Sequence, residues 1–560
     1  MAAIPTPITP GKSWQDIRDL KKAEQAARIP AEWKLKGSAY PPVETVDVRP
    51  VVSTSRILSE RELKITGDSY DATTLAAAIA NGTYSAEEVA IAFCKRAAIG
   101  QQLCNNLTEI MFLDAIEDAK KLDAYFEETG KTVGPLHGLP MTFKECFHVK
   151  GYDYSNGYIS RTFNPSTTTT YAIELVKAAG AVIIAKTNVP QTMLVAEADN
   201  NVFGQTKNPV VHHLTCGGSS GGEGSNMAFR GSAIGIGTDV GGSIRVPAAA
   251  NGVYGFKPTC GVLPFYGYAA SGYTGVNTGI PATLGPLANS ARDLALLTKV
   301  VRDAKPWLVD PAVVPGVYEQ ATISRKPVVG VIHKSGLTPH PPIQRAVREA
   351  VAKLQDAGFE VKDFTPPDFG EIRKVTKQLF TLDALSYQKR ELEKAGEPVV
   401  KSVVDIGFWQ LSAKTQEEAW EWNTKRLGIC KQMLDEWQRT KVDVVLCPTG
   451  PHTAVLPGEW SNDMYTVAWN AVDYPAVIIP FTNANPALDP KDTNFVPMND
   501  LDVLNEAKYD PQLMAGAPAA LQIVGPKWGD AQLLKDVEVI DAVLNPNTGA
   551  DSVLKTQSKL

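Results

Sequence analysis

Two glycine- and serine-rich tracts hold the residue types best suited to chemistry on an anionic or polarised group. The first, CGGSSGGEGS, spans residues 216–225, and the second, GIGTDVGGSIRVP, spans residues 235–247. Glycine lets the backbone approach a ligand closely and adopt positive φ, and successive N–H groups can form a concavity that binds an anion. The chemistry therefore depends on which anion these tracts would meet.

A phosphate fits the two tracts poorly. There is no G-x-x-x-x-G-K-[ST], and Val240 stands where the dinucleotide fingerprint after Gly235 and Gly237 would need glycine. A nucleophile elbow is a second reading, because residues 217–221 formally match G-x-S-x-G around Ser219. That class needs a later acid and a later histidine, and none of the three later histidines stands in a motif (His333, His340 and His452). Simple turn-forming glycines are insufficient to explain three Gly-Gly pairs with serines among them.

Acyl transfer without histidine is the third reading. A serine hydroxyl needs a base, and a buried lysine can serve if its pKa falls toward neutrality. An oxyanion hole is best made of backbone N–H groups just before the nucleophile, and Gly241-Gly242-Ser243 offers such a backbone. Upstream, GLPMTFKE (residues 138–145) is an apolar stretch that closes on Lys144 and predicts a buried strand end. The alternative for Lys144 is an ordinary strand-edge lysine beside Glu145.

Composition narrows the class of protein. The chain has 560 residues, 44% of them hydrophobic and 21% charged, which is typical of a globular protein with a sizeable core. A net charge of −6 argues against a nucleic-acid partner, and no apolar run is long enough for a membrane span. The histidines form no metal-binding motif, so we predict neither a metal nor another cofactor. Seven scattered cysteines without a C-x-x-C pair favour a reducing compartment.

The sequence closes on Ser558-Lys559-Leu560. A C-terminal S-K-L is an address that the peroxisomal import receptor reads. We therefore expect a peroxisomal protein, with the cytoplasm as the alternative.

Alternating helices and short apolar runs must position these residues. Helices are predicted from Ser13 to about Ala27 and then over 72–81, 86–99, 110–127, 343–357 and 416–439. Buried strands are predicted over 181–185, 328–332, 442–447 and 477–480. This pattern indicates an α/β fold with a sheet buried on both faces. We expect an extended and helical adaptor over 1–70, one domain over 71–545, and a tail over 546–560.

Taken together, these motifs resemble the amidase signature family. The resemblance rests on GGSSGGEGS (217–225), GTDVGGSIRVPA (237–248) and GLPMTFKE (138–145), with support from KTNVPQTM (186–193) and YGFKPT (254–259). Its most specific part covers about 136–290. Some flanking segments are similar to fungal acetamidases and others, more loosely, to fatty-acid amide hydrolase. The resemblance implies the amidase signature fold, a large mixed and mostly buried sheet covered by helices on both faces.

The resemblance also implies roles for individual residues. Ser243 is the nucleophile, Ser219 bridges it to the base through a cis peptide, and Lys144 is the base. Oxyanion donors fall on the backbone N–H groups of Val240, Gly241, Gly242 and Ser243. Met193 matches a position that lines the acyl pocket. We interpret Asp239 and Arg245 as an ion pair that braces the nucleophile loop. The family often has a small residue and leucine before the lysine, whereas this chain has Thr142 and Phe143.

The implied function is hydrolysis of linear carboxamides through a serine acyl-enzyme, with small aliphatic amides such as acetamide as the expected substrates. Fatty-acid amides, carbamates (urethanes) and aryl amides are alternative substrates, and a catalytically silent binding subunit is an alternative of another class. Trp469–Asp473 is a candidate specificity segment, with core packing as the other interpretation. A homodimer stays open.

Overall fold

The structure is a computed structural model that describes residues 11–273, 278–318, 321–460 and 462–546. Ser558, Lys559 and Leu560 lie outside the described residues, so the peroxisomal address stays a prediction.

Eighteen helices and eleven strands follow one another within the described residues. The helices are α1 Trp14–Ala27, α2 Val51–Thr54, α3 Glu60–Ile65, α4 Ala72–Ala80, α5 Ala86–Cys104, α6 Phe112–Thr129, α7 Tyr171–Ala178, α8 Gly221–Ala228, α9 Arg245–Asn251, α10 Ala291–Asp303, α11 Pro341–Asp356, α12 Phe369–Phe380, α13 Ser386–Ala395, α14 Lys401–Asp405, α15 Gln416–Thr440, α16 Met464–Ala471, α17 Asp500–Ala507 and α18 Asp530–Leu544. The strands are β1 Leu107–Ile110, β2 Pro140–Lys144, β3 Val182–Thr187, β4 Ile234–Asp239, β5 Tyr254–Lys257, β6 Thr283–Ala288, β7 Val329–Val331, β8 Val361–Asp363, β9 Val444–Pro448, β10 Ala476–Asn483 and β11 Pro518–Val524.

Most elements predicted from the sequence are present. The predicted α1 is confirmed with its capping box, in which Ser13 accepts from the Asp16 N–H and the Asp16 carboxylate accepts from the Ser13 N–H. Helix α5 begins with only half of such a capping box. Ser85 Oγ accepts from the Glu88 N–H at 3.0 Å, but the Glu88 carboxylate pairs with Arg61. An arginine partner within reach outcompetes the local backbone N–H for the carboxylate.

Two compact units make up the chain. The first unit consists of the described residues within Met1–Gly237, Pro264–Val276 and Asp383–Leu411. The second takes those of Thr238–Leu263, Asn277–Leu382 and Ser412–Leu560. Nothing in the structure bears on whether 1–70 is an adaptor apart from 71–545.

In the first unit, the strands run in the order β1-β3-β2-β4. β1 is antiparallel to β3, whereas β2 is parallel to both β3 and β4. Every residue of these four strands is buried, including the charged Glu109 of β1, Lys144 of β2 and Lys186 of β3. Parallel β2 and β4 carry their carboxyl ends to the same edge, where the chain leaves β2 at Lys144 and β4 at Asp239.

In the second unit, the strand order is β6-β5-β10-β11-β9-β7-β8, with β7 parallel to both β8 and β9 and the other pairs antiparallel. Alternate residues of β9 enter two different cores. Val444 and Leu446 pack with side chains of α10, α11 and α18, whereas Val445 and Cys447 pack with side chains of α12, α15 and α16. This part of the sheet therefore has helices on both faces, as predicted.

No helix among the described ranges combines the length and the hydropathy that crossing a bilayer requires.

Candidate active site

Lys144 is the last residue of β2, and its side chain is fully buried. Its ammonium or amine nitrogen Nζ donates to Ser219 Oγ at 2.6 Å. The structure thus brings together two of the three residues of the predicted triad, which lie 75 positions apart in the chain. A hydrogen bond of this length is short enough for proton transfer between the two groups.

Ser219 lies in the turn that leads into α8, and its residue is 1% exposed. The peptide bond between Gly218 and Ser219 is cis, as the family resemblance implied. Gly218 is also the place where this turn meets a neighbouring chain segment. A Cβ on Gly218 would lie 1.8 Å from the Glu197 carbonyl oxygen, so only glycine fits there.

Glu145 follows Lys144 directly but enters a different network. Its carboxylate accepts from the Ser155 N–H at 2.7 Å and forms an ion pair with Lys186 at 3.3 Å, both side chains being fully buried. Lys186 Nζ also donates to the Asp153 carbonyl oxygen at 2.6 Å. Lys144 is therefore not an exposed lysine that pairs with its neighbour Glu145, because the two side chains are buried with different partners.

Ser243 lies in the second unit, in the turn between β4 and α9, and is half-buried. The same turn holds Val240, Gly241 and Gly242, the other residues of the predicted oxyanion hole. Of these, the Gly242 N–H donates to Asp239 Oδ1 at 2.9 Å. Gly242 has a φ of +132°, and a Cβ there would lie 2.3 Å from Thr466 Oγ1, so both backbone and space require glycine.

Asp239 and Arg245 form the predicted ion pair, which is confirmed. Arg245 Nε and Nη2 each donate to one Asp239 carboxylate oxygen at 3.0 Å, and both side chains are fully buried. The Asp239 carboxylate also accepts from the Gly242 and Ile244 N–H groups, at 2.9 and 3.1 Å. Although burial opposes ionisation, the charge of Arg245 holds the pKa of Asp239 well below its usual range. The pair therefore fixes the backbone on both sides of Ser243.

Helix α16 supplies two further supports for this turn that the sequence did not reveal. Thr466 Oγ1 donates to the Gly241 carbonyl oxygen at 2.7 Å, and Asn470 Nδ2 donates to Asp239 Oδ1 at 2.9 Å. The two residues are four apart and share one helix face. This polar pair within an otherwise apolar helix was the available signal. Trp469, by contrast, is fully buried and packs against Phe369, so its core interpretation is correct.

Met193 ends a short 3₁₀ turn, Gln191–Met193, in the first unit. Thr192 and Met193 both have positive φ, at 72° and 58°, which non-glycine residues rarely adopt. The Gln191 side chain holds the turn, since its Nε2 donates to Glu397 Oε2 at 3.1 Å and its Oε1 accepts from the Val400 N–H at 2.9 Å. Burial raises the pKa of Glu397 to about 7.

Phe143, which departs from the family pattern, and nearby Cys146 are both fully buried. The Phe143 ring packs edge-on against Phe147 at a centroid distance of 5.4 Å. Burial raises the pKa of the Cys146 thiol to about 11, so the thiol stays protonated at neutral pH. Across the described ranges, no cluster of three or more histidine, cysteine or acidic side chains is arranged to hold a metal ion.

Several known proteins are similar to this chain over nearly its whole length. A sequence model of the family described as Amidase matches residues 88–534. An acetamidase of Aspergillus oryzae is 36% identical over 550 residues, which are 96% of this chain and 99% of the relative. An acetamidase of Emericella nidulans is also 36% identical, over 95% of this chain and 98% of its own length. A solved fatty acid amide hydrolase matches with a TM-score of 0.90 at 30% identity, covering 95% of both chains.

The last match confirms the predicted amidase signature fold, with its mixed sheet and flanking helices. The family match spans β2, the turn before α8 and the turn after β4, where the candidate residues lie. The chain therefore belongs to the amidase family, as its motifs predicted, and it is an amide-hydrolysing enzyme.

Proposed function

We propose that this amidase hydrolyses small aliphatic carboxamides, such as acetamide, through an acyl-enzyme on Ser243. One observation carries the mechanism: the buried Lys144 Nζ lies 2.6 Å from Ser219 Oγ, next to the cis peptide of Gly218–Ser219. Two acetamidases at 36% identity over nearly the whole chain support the choice of substrate.

The proposed first half-reaction forms the acyl-enzyme. The Lys144 amine takes the Ser219 hydroxyl proton while Ser219 Oγ takes the proton of Ser243 Oγ, which attacks the carbonyl carbon. The tetrahedral oxyanion forms against backbone N–H groups of residues 240–243. Protons then return along the same path to the leaving nitrogen as its bond to carbon breaks, because an amide needs a protonated leaving group.

In the second half-reaction, water attacks the acyl carbon of the Ser243 ester. The Lys144–Ser219 pair removes a proton from the water and returns one to Ser243 Oγ as the ester bond breaks. The product leaves as a carboxylic acid that gives its proton to solvent, and the free enzyme is restored. The Asp239–Arg245 pair contributes by fixing the backbone around Ser243 before substrate arrives, which avoids reorganisation during the reaction.

A fatty-acid amide is the second candidate substrate. The match to a fatty acid amide hydrolase, with a TM-score of 0.90, favours it. Carbamates and aryl amides would use the same nucleophile and the same oxyanion site.

A fluorophosphonate probe tests the nucleophile, because it phosphonylates activated serines. We expect labelling of the wild type and none of Ser243→Ala, with Ser225→Ala, a serine of α8, as the labelled control. Unlabelled wild type would contradict the proposal and favour a silent subunit, whereas full labelling of Ser243→Ala would contradict it by showing that another serine is the nucleophile. Hydrolysis of acetamide, propionamide, a long-chain amide, an anilide and ethyl carbamate then ranks the substrates. We expect acetamide and propionamide to give the highest kcat/KM, and preference for the long-chain amide would favour the second candidate.

A further inference from the structure

Glu223 is a fully buried carboxyl in the first turn of α8, four residues after Ser219. Its Oε2 accepts from Thr142 Oγ1 at 2.8 Å, and its Oε1 accepts from Thr187 Oγ1 at 2.9 Å. The proposed mechanism gives this group no part. A buried carboxyl held by two hydroxyl groups is costly to ionise, so its presence calls for an explanation.

Three strands form the floor on which this carboxyl lies. Thr142 precedes Lys144 by two residues on β2 and therefore points to the same face of the sheet. Thr187 pairs with Lys144 in the register of β2 and β3, and Gly235 pairs with Thr142 in the register of β2 and β4. A Cβ on Gly235 would lie 2.1 Å from Glu223 Oε2, so glycine leaves the room that the carboxyl occupies. The chain thus builds a carboxyl site on the face of Lys144.

Lys144 is the charged neighbour that acts on this site. The carboxyl bonds to Thr142 on β2 and to Thr187 on β3, it fills the space that Gly235 leaves on β4, and the charge of Lys144 on β2 reaches it. Burial raises the pKa of Glu223 to about 8, against the opposing effect of the Thr142 and Thr187 hydroxyls and of the Lys144 charge. The carboxyl therefore carries its proton at neutral pH, where an ordinary glutamate is ionised.

We propose that Glu223 is a positioning residue that sets the protonation state of Lys144. This inference rests on the proposed function, in which the Lys144 amine must be neutral to accept a proton. While Glu223 is a carboxylic acid, it contributes no charge that would stabilise an ammonium at Lys144. When Glu223 is a carboxylate, it stabilises that ammonium and takes the base out of action.

The Glu223 carboxyl and the Lys144 amine can exchange one proton. A carboxylic acid with an amine holds as many protons as a carboxylate with an ammonium, so exchange between the two states changes no net charge. Only the first state has a lone pair on Lys144 Nζ that can accept a proton from Ser219 Oγ. The second state competes with the first, and it raises the pH at which the active form becomes populated.

On the acid side of its pH profile, kcat/KM falls as Lys144 becomes protonated. The pH of this acid limb therefore tests directly whether Glu223 sets the protonation state of Lys144. In Glu223→Gln the side chain keeps its shape and can still bond to Thr142 and Thr187, but it never ionises. We expect the acid limb of amide hydrolysis to move to lower pH by about one unit, the size of shift that an opposite charge nearby produces. A folded Glu223→Gln enzyme whose limb stays in place or moves to higher pH would overturn the proposal.

Two further variants test whether the shift comes from the charge of Glu223. Thr187→Val removes one hydrogen bond that favours the ionised carboxyl of Glu223. The acid limb of this variant should therefore move to lower pH, by less than that of Glu223→Gln. A shift to higher pH counts against the proposal. Glu145→Gln is the matched control, because it removes a buried carboxyl beside Lys144 in the chain that pairs with Lys186 instead. Its limb should stay at the wild-type pH, and a shift equal to that of Glu223→Gln would overturn the inference.

Failure of the inference is distinguishable from failure of the proposed function. If Lys144→Ala retains amide turnover, Lys144 is not the base and the proposed mechanism fails. If Lys144→Ala is inactive but Glu223→Gln leaves the limb in place, the mechanism stands and the inference alone fails.

Discussion

Lys144 and Glu145 are neighbours in the chain, but their side chains enter separate buried networks. Lys144 Nζ donates to Ser219 Oγ at 2.6 Å, whereas the Glu145 carboxylate pairs with Lys186 at 3.3 Å. The first unit thus buries two lysines on adjacent strands with different partners. Lys186 is neutralised by a carboxylate, while Lys144 is directed to a hydroxyl. This contrast separates a lysine that stabilises the fold from one that can act as a base.

The contrast predicts different outcomes for the two lysines. Lys144→Met should reduce kcat/KM for an amide by at least two orders of magnitude with little change in structure, since general-base catalysis supplies about 10²–10⁴-fold. Lys186→Met should lower the free energy of unfolding, because it leaves the buried Glu145 without its cation, while the folded fraction keeps most of its activity. Steady-state kinetics and urea unfolding of both variants check this. Equal losses of kcat/KM in the two folded variants would contradict it.

The sequence pointed to Lys144 and Ser219, which lie in contact, but it did not point to the residues that support the nucleophile turn. Lys144, Ser219 and Ser243 stand in motifs whose glycines mark them, and the buried strand ending at Lys144 follows from an apolar run closed by one charge. Thr466 and Asn470 lie more than 200 residues after the turn they hold. No local pattern connects residues so far apart, because only the register of the folded sheet brings them to Asp239 and Gly241.

Glu223 illustrates a different limit. In the sequence it is one glutamate among glycines, and a solvent-exposed acid in a first helical turn would have been the ordinary expectation. Its burial depends on Gly235, which leaves room for it, and on two threonines from separate strands. The division into two compact units was also not predicted, since both units draw on segments that are distant in the chain.

Gly241 and Gly242 form a matched pair for testing the nucleophile turn. A Cβ on Gly242 would lie 2.3 Å from Thr466 Oγ1, and its φ of +132° disfavours any side chain. A Cβ on Gly241 would meet nothing closer than Phe380 at 3.7 Å, an ordinary contact. Gly242→Ala should therefore reduce kcat/KM for an amide by at least 100-fold, because it displaces the turn that carries Ser243 and the proposed oxyanion donors around it. Gly241→Ala keeps its N–H and should lose less than 10-fold in kcat/KM. A larger loss in Gly241→Ala than in Gly242→Ala would contradict the geometry.

The Asp239–Arg245 pair should contribute strongly to stability. Asp239→Asn leaves a fully buried guanidinium without its counter-charge, and removal of one partner of a buried pair costs about 3–5 kcal/mol. Because the folded-state pKa of Asp239 is lowered, its contribution is present above the ordinary pKa and is lost as pH falls through the folded value. Urea unfolding at neutral pH measures the loss. Asp303→Asn is the control, since the exposed Lys299–Asp303 pair should be worth less than about 1 kcal/mol.

The C-terminal tripeptide makes a prediction about location. The chain carrying an N-terminal fluorescent tag should collect in peroxisomes of a eukaryotic cell, because the import receptor reads S-K-L at a free C-terminus. A chain without Ser558–Leu560 should stay diffuse in the cytoplasm. Peroxisomal import of that shortened chain, or a diffuse full-length chain, would contradict the prediction.

His340 and His452 should make the second unit sensitive to acid. Both rings are buried, at a centroid distance of 5.8 Å, and burial lowers the pKa of His340 to about 4 and that of His452 to about 3. His340 Nε2 bonds to the Asn505 carbonyl oxygen and His452 Nδ1 to that of Thr453, so these nitrogens carry the proton of each neutral ring, and burial outweighs the opposing effect of the two bonds on the pKa. The unfolded chain binds protons at these residues near pH 6.5, so stability should fall as the pH is lowered from 6.5 toward 4.

The loss from His340 alone is of the order of 3 kcal/mol when fully expressed, since each pKa unit corresponds to about 1.4 kcal/mol. Urea unfolding between pH 8 and pH 4.5 measures the slope of stability with pH, to which buried carboxyls of raised pKa, such as Asp541, contribute with the opposite sign. His340→Gln and His452→Gln should each reduce this slope, because glutamine does not titrate in this range. His333→Gln, at an exposed position, should leave the slope unchanged. A wild-type slope in both buried variants would mean that the two histidines do not contribute to the acid sensitivity.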